Sequence, residues 1–479
     1  MTKKTWISMI AGLVVFIAML VIPAPGDMNT KAWHMAAVVT LITIWWITET
    51  IELCITALLP IVLLPLFDIT PVDEVTLSYA HEAIYLFMGG FMIAIAMERS
   101  NLHKRFALYT IRLMGNKPSN IILGFMLATY ALSMWVSNTA TVLMIIPICK
   151  AITSQIPSAD AAGKKYQPFT KALLLSIAYA ASIGGVATLI GTPTNIIFAS
   201  IASTTPGMEI SFIKWMLFAF PFSLLFLFLT WLLITKVLFP LNRLEIPLEE
   251  NYIKNEVKQL GKMTIHEKRI LTIFCIVAFL WIFREFIDFP LLQNNMSDAT
   301  IAIGGAICLF LTPTGLKKGE TLLDWKGAST LPWSILLLFG GGLAISKGFI
   351  DSGLSEYLVL QLQSLHQLEA WMFIVLATAL ALFLTEIMSN MAAVTLMLPI
   401  MISIANGLGI HPFILTIPIT IACSFAFMLP ISTPPNAIVY GYGYINIRDM
   451  VKTGLWLNIL GVIAITLFAL YILPIVITL

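Results

Sequence analysis

Serine and asparagine are the residues that most often start a helix, because their side chains accept from its free first-turn N–H groups. This chain sets them in adjacent pairs inside apolar runs. Ser137-Asn138-Thr139 and Ser389-Asn390-Met391 lie 252 residues apart. At the same offset Gly89-Gly90 returns as Gly341-Gly342, and Pro147 as Pro399. Six of the twelve positions in 137–148 are identical in 389–400: Ser, Asn, Ala, Val, Pro and Ile. A second pair follows, Thr192-Pro193-Thr194-Asn195 echoed by Thr433-Pro434-Pro435-Asn436 at an offset of 241. A Ser-Asn tip ends one helix and starts another, so two tips aim two partially positive helix ends into gaps suited to an anion. Proline removes a donor and ends a helix, which frees carbonyl oxygens. Carbonyl, Ser, Thr and Asn oxygens suit hard cations such as sodium. No Arg or Lys stands near these motifs. A bound anion is therefore balanced by helix ends, by cations bound beside it, or by both.

These motifs sit in a membrane protein. The chain has 479 residues, 59% hydrophobic and only 11% charged, against about 25% charged in soluble domains. Apolar stretches long enough to cross about 30 Å of hydrocarbon fall near 5–24, 33–49, 53–67, 80–98, 168–202, 210–238, 268–288, 297–314, 329–350, 411–442 and 452–478. Two further apolar regions, 119–152 and 367–405, are interrupted by the Ser-Asn motifs. Their arms read as re-entrant helical hairpins with Ser-Asn at the tip. The fold class expected is an all-α polytopic membrane protein of eleven transmembrane helices and two re-entrant hairpins.

Positive charge orients it. With the N-terminus inside, 23 of the 27 Lys and Arg residues fall on the inner side; Lys31, Lys214, Arg284 and Lys347 are the exceptions. A full crossing at the first hairpin would reverse every later loop and destroy this bias. The first span reads as an uncleaved one, and the C-terminus falls outside. Spans 2–6 with the first hairpin match spans 7–11 with the second. Five crossings per repeat is odd, so the halves are inverted and the tips meet near the midplane. Segments 101–115 and 353–365 read as amphipathic helices in the interface, with Leu102, Phe106 and Tyr109 set against Lys104 and Arg105 in the first. The charged stretch 242–268 joins the halves.

Small polar residues also let membrane helices pack closely, but duplication of the whole constellation at fixed offsets weighs for a binding site. Glu386, three residues before Ser389, is expected either in function or paired with a backbone N–H. Glu49 and Glu52 read as solvated residues of a cytoplasmic turn, Trp135 as packing. Cys54, Cys149, Cys275, Cys308 and Cys423 are isolated in apolar runs and read as packing residues. No metal-type Cys/His spacing, phosphate loop or catalytic cluster accompanies the tips, so no cofactor, no nucleic-acid partner and no enzymatic activity are expected.

Ser-Asn-Thr at one tip, Ser-Asn-x at the other, then Gly-Thr-Pro-Thr-Asn and Ser-Thr-Pro-Pro-Asn-Ala-Ile-Val together resemble the divalent anion/sodium symporter family, the INDY-type carboxylate transporters. The resemblance covers essentially the whole chain. It implies a homodimer in the cytoplasmic membrane working as an elevator. The scaffold comprises 1–118 and 242–366; the transport domain comprises 119–241 and 367–479. It implies di- and tricarboxylate substrates such as succinate, malate, fumarate, 2-oxoglutarate and citrate, or sulfate in some branches. Ser137, Asn138, Thr139, Thr192, Ser389, Asn390, Met391, Thr433 and Pro434 would surround the substrate. One sodium site would use Ser133, Ser137, Asn138 and the Gly191 carbonyl. The other would use Thr385, Asn390 and carbonyls near Met388 and Ser432. Met391 departs from the family's usual Thr and removes a hydroxyl. The family also contains cation-independent exchangers, so sodium symport and dicarboxylate exchange both stand, with an anion channel as the reading outside carriers.

Overall fold

The computed structural model describes residues 3–115, 117–154, 161–203, 205, 208, 210–241, 257–287, 296–315, 319–362 and 369–477. Most of the expected linker, 242–256, and the end of the second interfacial segment, 363–365, lie outside the described residues. Among the described residues every extended regular element is a helix. That is the outcome required where hydrocarbon offers backbone groups no partner but each other.

Helices α1 (Lys3–Val21) and α2 (Thr30–Thr48) pack side by side. The Asn29 side chain caps α2, accepting from Ala32 N–H at 2.7 Å. The expected span 53–67 is two helices, α3 (Leu53–Thr56) and α4 (Leu59–Leu66). In an unbroken helix the Ala57 carbonyl would accept from Ile61. Pro60 disturbs that turn; Ile61 N–H goes to Leu58 instead, and Ala57 takes the Tyr79 hydroxyl. Short α5 (Val72–Leu77) then leads into α6 (Glu82–Arg99).

Helix α7 (Leu102–Met114) follows Asn101, which turns the chain at φ 58°. It is amphipathic as expected, but Leu102 is turned inward together with Arg105 rather than grouped with Phe106 and Tyr109. Arg105 is buried, and Phe106, Tyr109 and Leu113 are exposed. Arg105 Nε meets Glu267 Oε1 at 3.1 Å, and its other nitrogens donate to the carbonyls of Leu260 and Gly261. A guanidinium fills such a pocket because its planar fork of donors matches several oxygens at once.

The first repeat continues with α8 (Pro118–Ser133), α9 (Asn138–Thr153), α10 (Ala161–Val186), α11 (Pro193–Ser203) and α12 (Phe212–Leu232), the last running on through a wider turn to Leu238. The second comprises α13 (Ile265–Phe283), α14 (Asp298–Leu311), α15 (Trp325–Ala328), α16 (Trp333–Asp351), α17 (Leu354–Leu362), α18 (Ala370–Leu384), α19 (Asn390–Leu408), α20 (Phe413–Cys423), α21 (Pro434–Gly441) and α22 (Ile447–Leu467), continued to Ile477. Among the described residues six helical stretches are long and apolar enough to cross a membrane; α19, at 19 residues, is one of them and is longer than a hairpin arm need be.

The two halves interlock. Helix α11 lies on α19, and α21 lies on α9 and α10, so each broken span's second piece rests on the other repeat. Lys171 of α10 and Asp449 of α22 form an ion pair at 2.6 Å. The duplicated glycines mark close crossings of matching helices. A Cβ on Gly89 would lie 2.5 Å from the Ala302 backbone, and one on Gly341 would lie 2.5 Å from the Ala57 carbonyl oxygen.

Candidate functional site

Both Ser-Asn motifs stand where a helix stops and another begins. Helix α8 ends at Ser133 and α9 starts at Asn138; α18 ends at Leu384 and α19 starts at Asn390. Four residues separate the first pair of helices and five the second, and the two helices of each pair stay in contact. The Ser137 hydroxyl caps α9, accepting from Ala140 N–H at 3.3 Å. Ser389 holds the same position on α19 but makes no side-chain cap bond. Ser137, Asn138, Thr139, Ser389, Asn390 and Met391 are all half-buried, which leaves them within reach of a small ligand.

Behind the tips the halves repeat one oxygen cluster. In the first, the Ser133 hydroxyl lies 2.7 Å from Asn138 Oδ1 and 2.8 Å from the Ala181 carbonyl. In the second, the Thr385 hydroxyl lies 2.7 Å from Asn390 Oδ1 and 2.8 Å from the Cys423 carbonyl. A hydroxyl has one hydrogen to give, so each cluster holds more acceptors than donors. Such an oxygen-rich, donor-poor group has the chemistry of a hard-cation site. Gly191 joins the first cluster. A Cβ on Gly185 would lie 2.6 Å from Asn138 Oδ1 and 3.2 Å from the Gly191 carbonyl, so the missing side chain is what lets these oxygens converge. Of the set Ser133, Ser137, Asn138 and Gly191 that the resemblance implies for sodium, Ser133, Asn138 and Gly191 lie together, and the Ala181 carbonyl joins them. Thr385 and Asn390 are together, with the Cys423 carbonyl added. Met388 and Ser432, expected to contribute carbonyls, are both buried, and the Ser432 hydroxyl donates to Glu386 Oε2 at 2.6 Å.

The breaks at 187–192 and 424–433 are braced alike. Asn195 Nδ2 donates to the carbonyls of Gly185, Val186 and Thr188. Asn436 Nδ2 donates to those of Ala426 and Leu429. Residues 185 and 188 correspond to 426 and 429 at the same 241 offset, so the Asn of each Thr-Pro-x-Asn motif ties its own broken helix. Thr192 is buried at the end of the first break. Thr433 caps α21 by accepting from Asn436 N–H, and Pro434 is exposed. The sequence displayed both asparagines within the repeated motif, yet nothing local said whether they faced a ligand or the backbone.

Glu386 is 3% exposed and has no cationic partner among the described residues. Oε1 accepts from Phe427 N–H at 2.8 Å, Met428 N–H at 2.9 Å and Asn458 Nδ2 at 2.9 Å. Oε2 accepts from Leu429 N–H at 3.2 Å and from the Ser432 hydroxyl. The carboxylate therefore fastens the second tip to the broken span and to α22. Met134, its counterpart in the first repeat, does the lesser task through its backbone carbonyl, which takes the Thr188 hydroxyl. Trp135 stacks on Phe212 with ring centroids 6.0 Å apart and meets Phe274 edge-on at 5.0 Å, which is packing.

The sodium:sulfate symporter transmembrane region family matches residues 3–479. A sodium-dependent dicarboxylate transporter of Staphylococcus aureus (strain USA300) is 43% identical over 475 residues, 98% of this chain and 91% of the relative. The transporter of the same name in Staphylococcus saprophyticus is 40% identical over 473 residues, with the same shares covered. Two solved structures share the fold at 12% identity. One is Neisseria gonorrhoeae MtrF, described with a class of antimetabolite efflux pumps (TM-score 0.60, covering 99% of this chain and 96% of MtrF). The other is the Alcanivorax borkumensis YdaH transporter (TM-score 0.56, covering 97% and 96%).

Proposed function

The chain belongs to the sodium:sulfate symporter transmembrane family, and from that membership we propose that it carries dicarboxylates of the succinate, malate, fumarate and 2-oxoglutarate class across the cytoplasmic membrane, driven by sodium. The observation that carries the reading is the matched pair of oxygen clusters, Ser133–Asn138–Ala181 and Thr385–Asn390–Cys423, each set behind a Ser-Asn motif where one helix stops and the next begins. The tips present N–H groups and hydroxyls of Ser137, Thr139 and Ser389 to carboxylates; the clusters behind them take sodium. Two helix ends supply roughly half a charge each, leaving about one negative charge of a dianion unbalanced. Bound sodium offsets it, which favours symport over exchange of one dicarboxylate for another. The relatives named sodium-dependent dicarboxylate transporters point the same way.

Transport proceeds by an elevator movement of 119–241 and 367–479 against 1–118 and 242–366 in a homodimer, with both hairpins re-entrant, the N-terminus inside and the C-terminus outside. The ion pair Lys171–Asp449 and the interlocked helices α11 and α19 support treating the first two segments as one body. Proteoliposomes decide the coupling. Sodium-driven uptake of labelled succinate into empty vesicles is expected. Uptake that requires internal dicarboxylate and ignores replacement of sodium by choline means exchange instead.

A further inference from the structure

The packing of Trp135 crosses the boundary between the two proposed bodies. Trp135 lies in the first tip, between α8 and α9, and Phe212 opens α12; both belong to the moving segments. Phe274 and Trp281 belong to α13, and Asp298 opens α14; all three belong to the scaffold segments. Trp135 meets Phe274 edge-on, and Phe212 stacks on both Trp135 and Trp281, its ring centroid 4.8 Å from that of Trp281. The scaffold side is tied to itself. Trp281 Nε1 donates to the Asp298 carbonyl at 3.0 Å, and Arg284 pairs with Asp298 Oδ1 at 2.9 Å. Asp298 Oδ2 accepts from Phe212 N–H at 2.9 Å. A helix start favours such an anion, because its first N–H groups have no partner within the helix. The start of α12 is thus capped by the opposite body.

The second tip is held differently. Ile387 corresponds to Trp135 at the 252 offset and is 69% exposed. A cavity of about 720 Å³, with Thr5, Glu49 and Cys54 among its walls, reaches Met391 of that tip. One tip is shut against α13 while the other borders open space. We propose that Trp135, Phe212, Phe274, Trp281 and Asp298 form a conformational latch, which holds the first tip on the scaffold in this state and has to part before the hairpins move. The proposal rests on the elevator movement put forward above. The parts suit release. Flat rings separate without breaking backbone hydrogen bonds, and water can replace the carboxylate at a helix start. Each aromatic pair adds only a modest stabilisation, so the latch favours one state and still opens. Packed interfaces of this kind move between discrete arrangements.

The test uses the full-length carrier in proteoliposomes. Cys54, Cys149, Cys275 and Cys308 are replaced by alanine. Val136→Cys is added as a reporter, since Val136 is buried next to Trp135 in the tip. Native Cys423, also buried, stays as a sentinel for the fold. Labelling by a small polar maleimide is followed at each thiol by mass spectrometry; its rate at a buried thiol follows the fraction of molecules in which that thiol is uncovered. Phe274→Leu and Trp281→Leu, both on the scaffold side, should each speed labelling of the Val136→Cys thiol roughly fivefold or more and leave Cys423 unchanged. Trp281→Phe keeps a stacked ring and should stay within about twofold of the starting protein. Phe274→Met and Trp281→Met serve if leucine prevents folding. Unchanged labelling of the Val136→Cys thiol in both variants overturns the latch. An equal rise at Cys423 also overturns it, because the rings would then only hold the fold together. Separately, Trp135→Cys and Phe274→Cys joined by a short cleavable thiol cross-linker should block sodium-driven succinate uptake until the link is reduced. Full uptake with the link in place sinks the elevator reading itself. Blocked uptake with unchanged labelling removes the latch and leaves the movement standing.

Discussion

The hydroxyls of Thr194 and Ser424 share a hydrogen bond across 230 positions, joining the first turn of α11 to the residue that ends α20. Both are buried. The bond stitches the break of one repeat to the break of the other, so the two interruptions form a single structural unit. A net contribution of about 0.5–1.5 kcal/mol is typical for such a bond. Thr194→Val and Ser424→Ala should each lower the unfolding midpoint in detergent. The double variant should lose less than the sum, because the second change removes a partner already lost. Strictly additive losses would show that the hydroxyls do not depend on each other.

Asn138 and Asn390 each bring one amide oxygen to the cluster behind its tip. Asn138→Ala and Asn390→Ala should each abolish sodium-driven succinate uptake while leaving a folded protein. A hydrogen bond to a charged group is worth about 1.5–3 kcal/mol, so affinity should fall at least tenfold. Scintillation proximity binding on purified protein checks this; wild-type binding by both variants would remove the tips from the site.

What the sequence made visible was whatever it repeated. The tips, the Thr-Pro-x-Asn breaks and the glycine pairs stood out because each recurs at a fixed offset, and each marks a real interruption or close crossing. What does not repeat was harder to read. The break after Thr56 falls in an apolar run whose helix was judged by length alone, and the role of Pro60 appears only with Tyr79 placed against Ala57. Helix α7 is amphipathic from either side, since lipid accepts Phe106 and Tyr109 as readily as a protein core does. The Glu267 carboxylate and the carbonyls of Leu260 and Gly261 decide that Arg105 faces inward. The carbonyls of Ala181 and Cys423 were invisible for a different reason: any residue can supply a backbone oxygen.

Glu386 offers a sharp stability test. Glu386→Ala leaves the N–H groups of Phe427, Met428 and Leu429 and the Asn458 amide without their acceptor in a dry interior. Each buried donor left without an acceptor costs about 1–3 kcal/mol. Glu386→Gln keeps the volume and one acceptor but turns an NH₂ group toward other donors, so it should fall between. The expected order of melting temperature is wild type, then Gln, then Ala, read by fluorescence-detected size exclusion after heating. An alanine variant as stable as wild type would show that the broken span holds itself without the carboxylate.

The duplicated glycine pairs separate into a packing position and a roomier neighbour. At Gly89 an added methyl meets the backbone of Ala302 at 2.5 Å, and at Gly341 it meets the Ala57 carbonyl oxygen at 2.5 Å. Backbone cannot rotate away, so α6 must part from α14, or α16 from α3. At Gly90 the nearest atom is a methyl of the Ile190 side chain at 3.5 Å, an ordinary contact. Alanine also favours a helix interior over glycine by about 1 kcal/mol. Gly89→Ala and Gly341→Ala should therefore destabilise, by about 1–3 kcal/mol as overpacked sites do, whereas Gly90→Ala should be neutral or stabilising. Gly90 faces the break of the α10–α11 span, however, so its variant also probes movement. Gly90→Ala with normal stability and slowed uptake would place a sliding surface at Ile190, while unchanged uptake would mean that this contact stays fixed through the transport cycle.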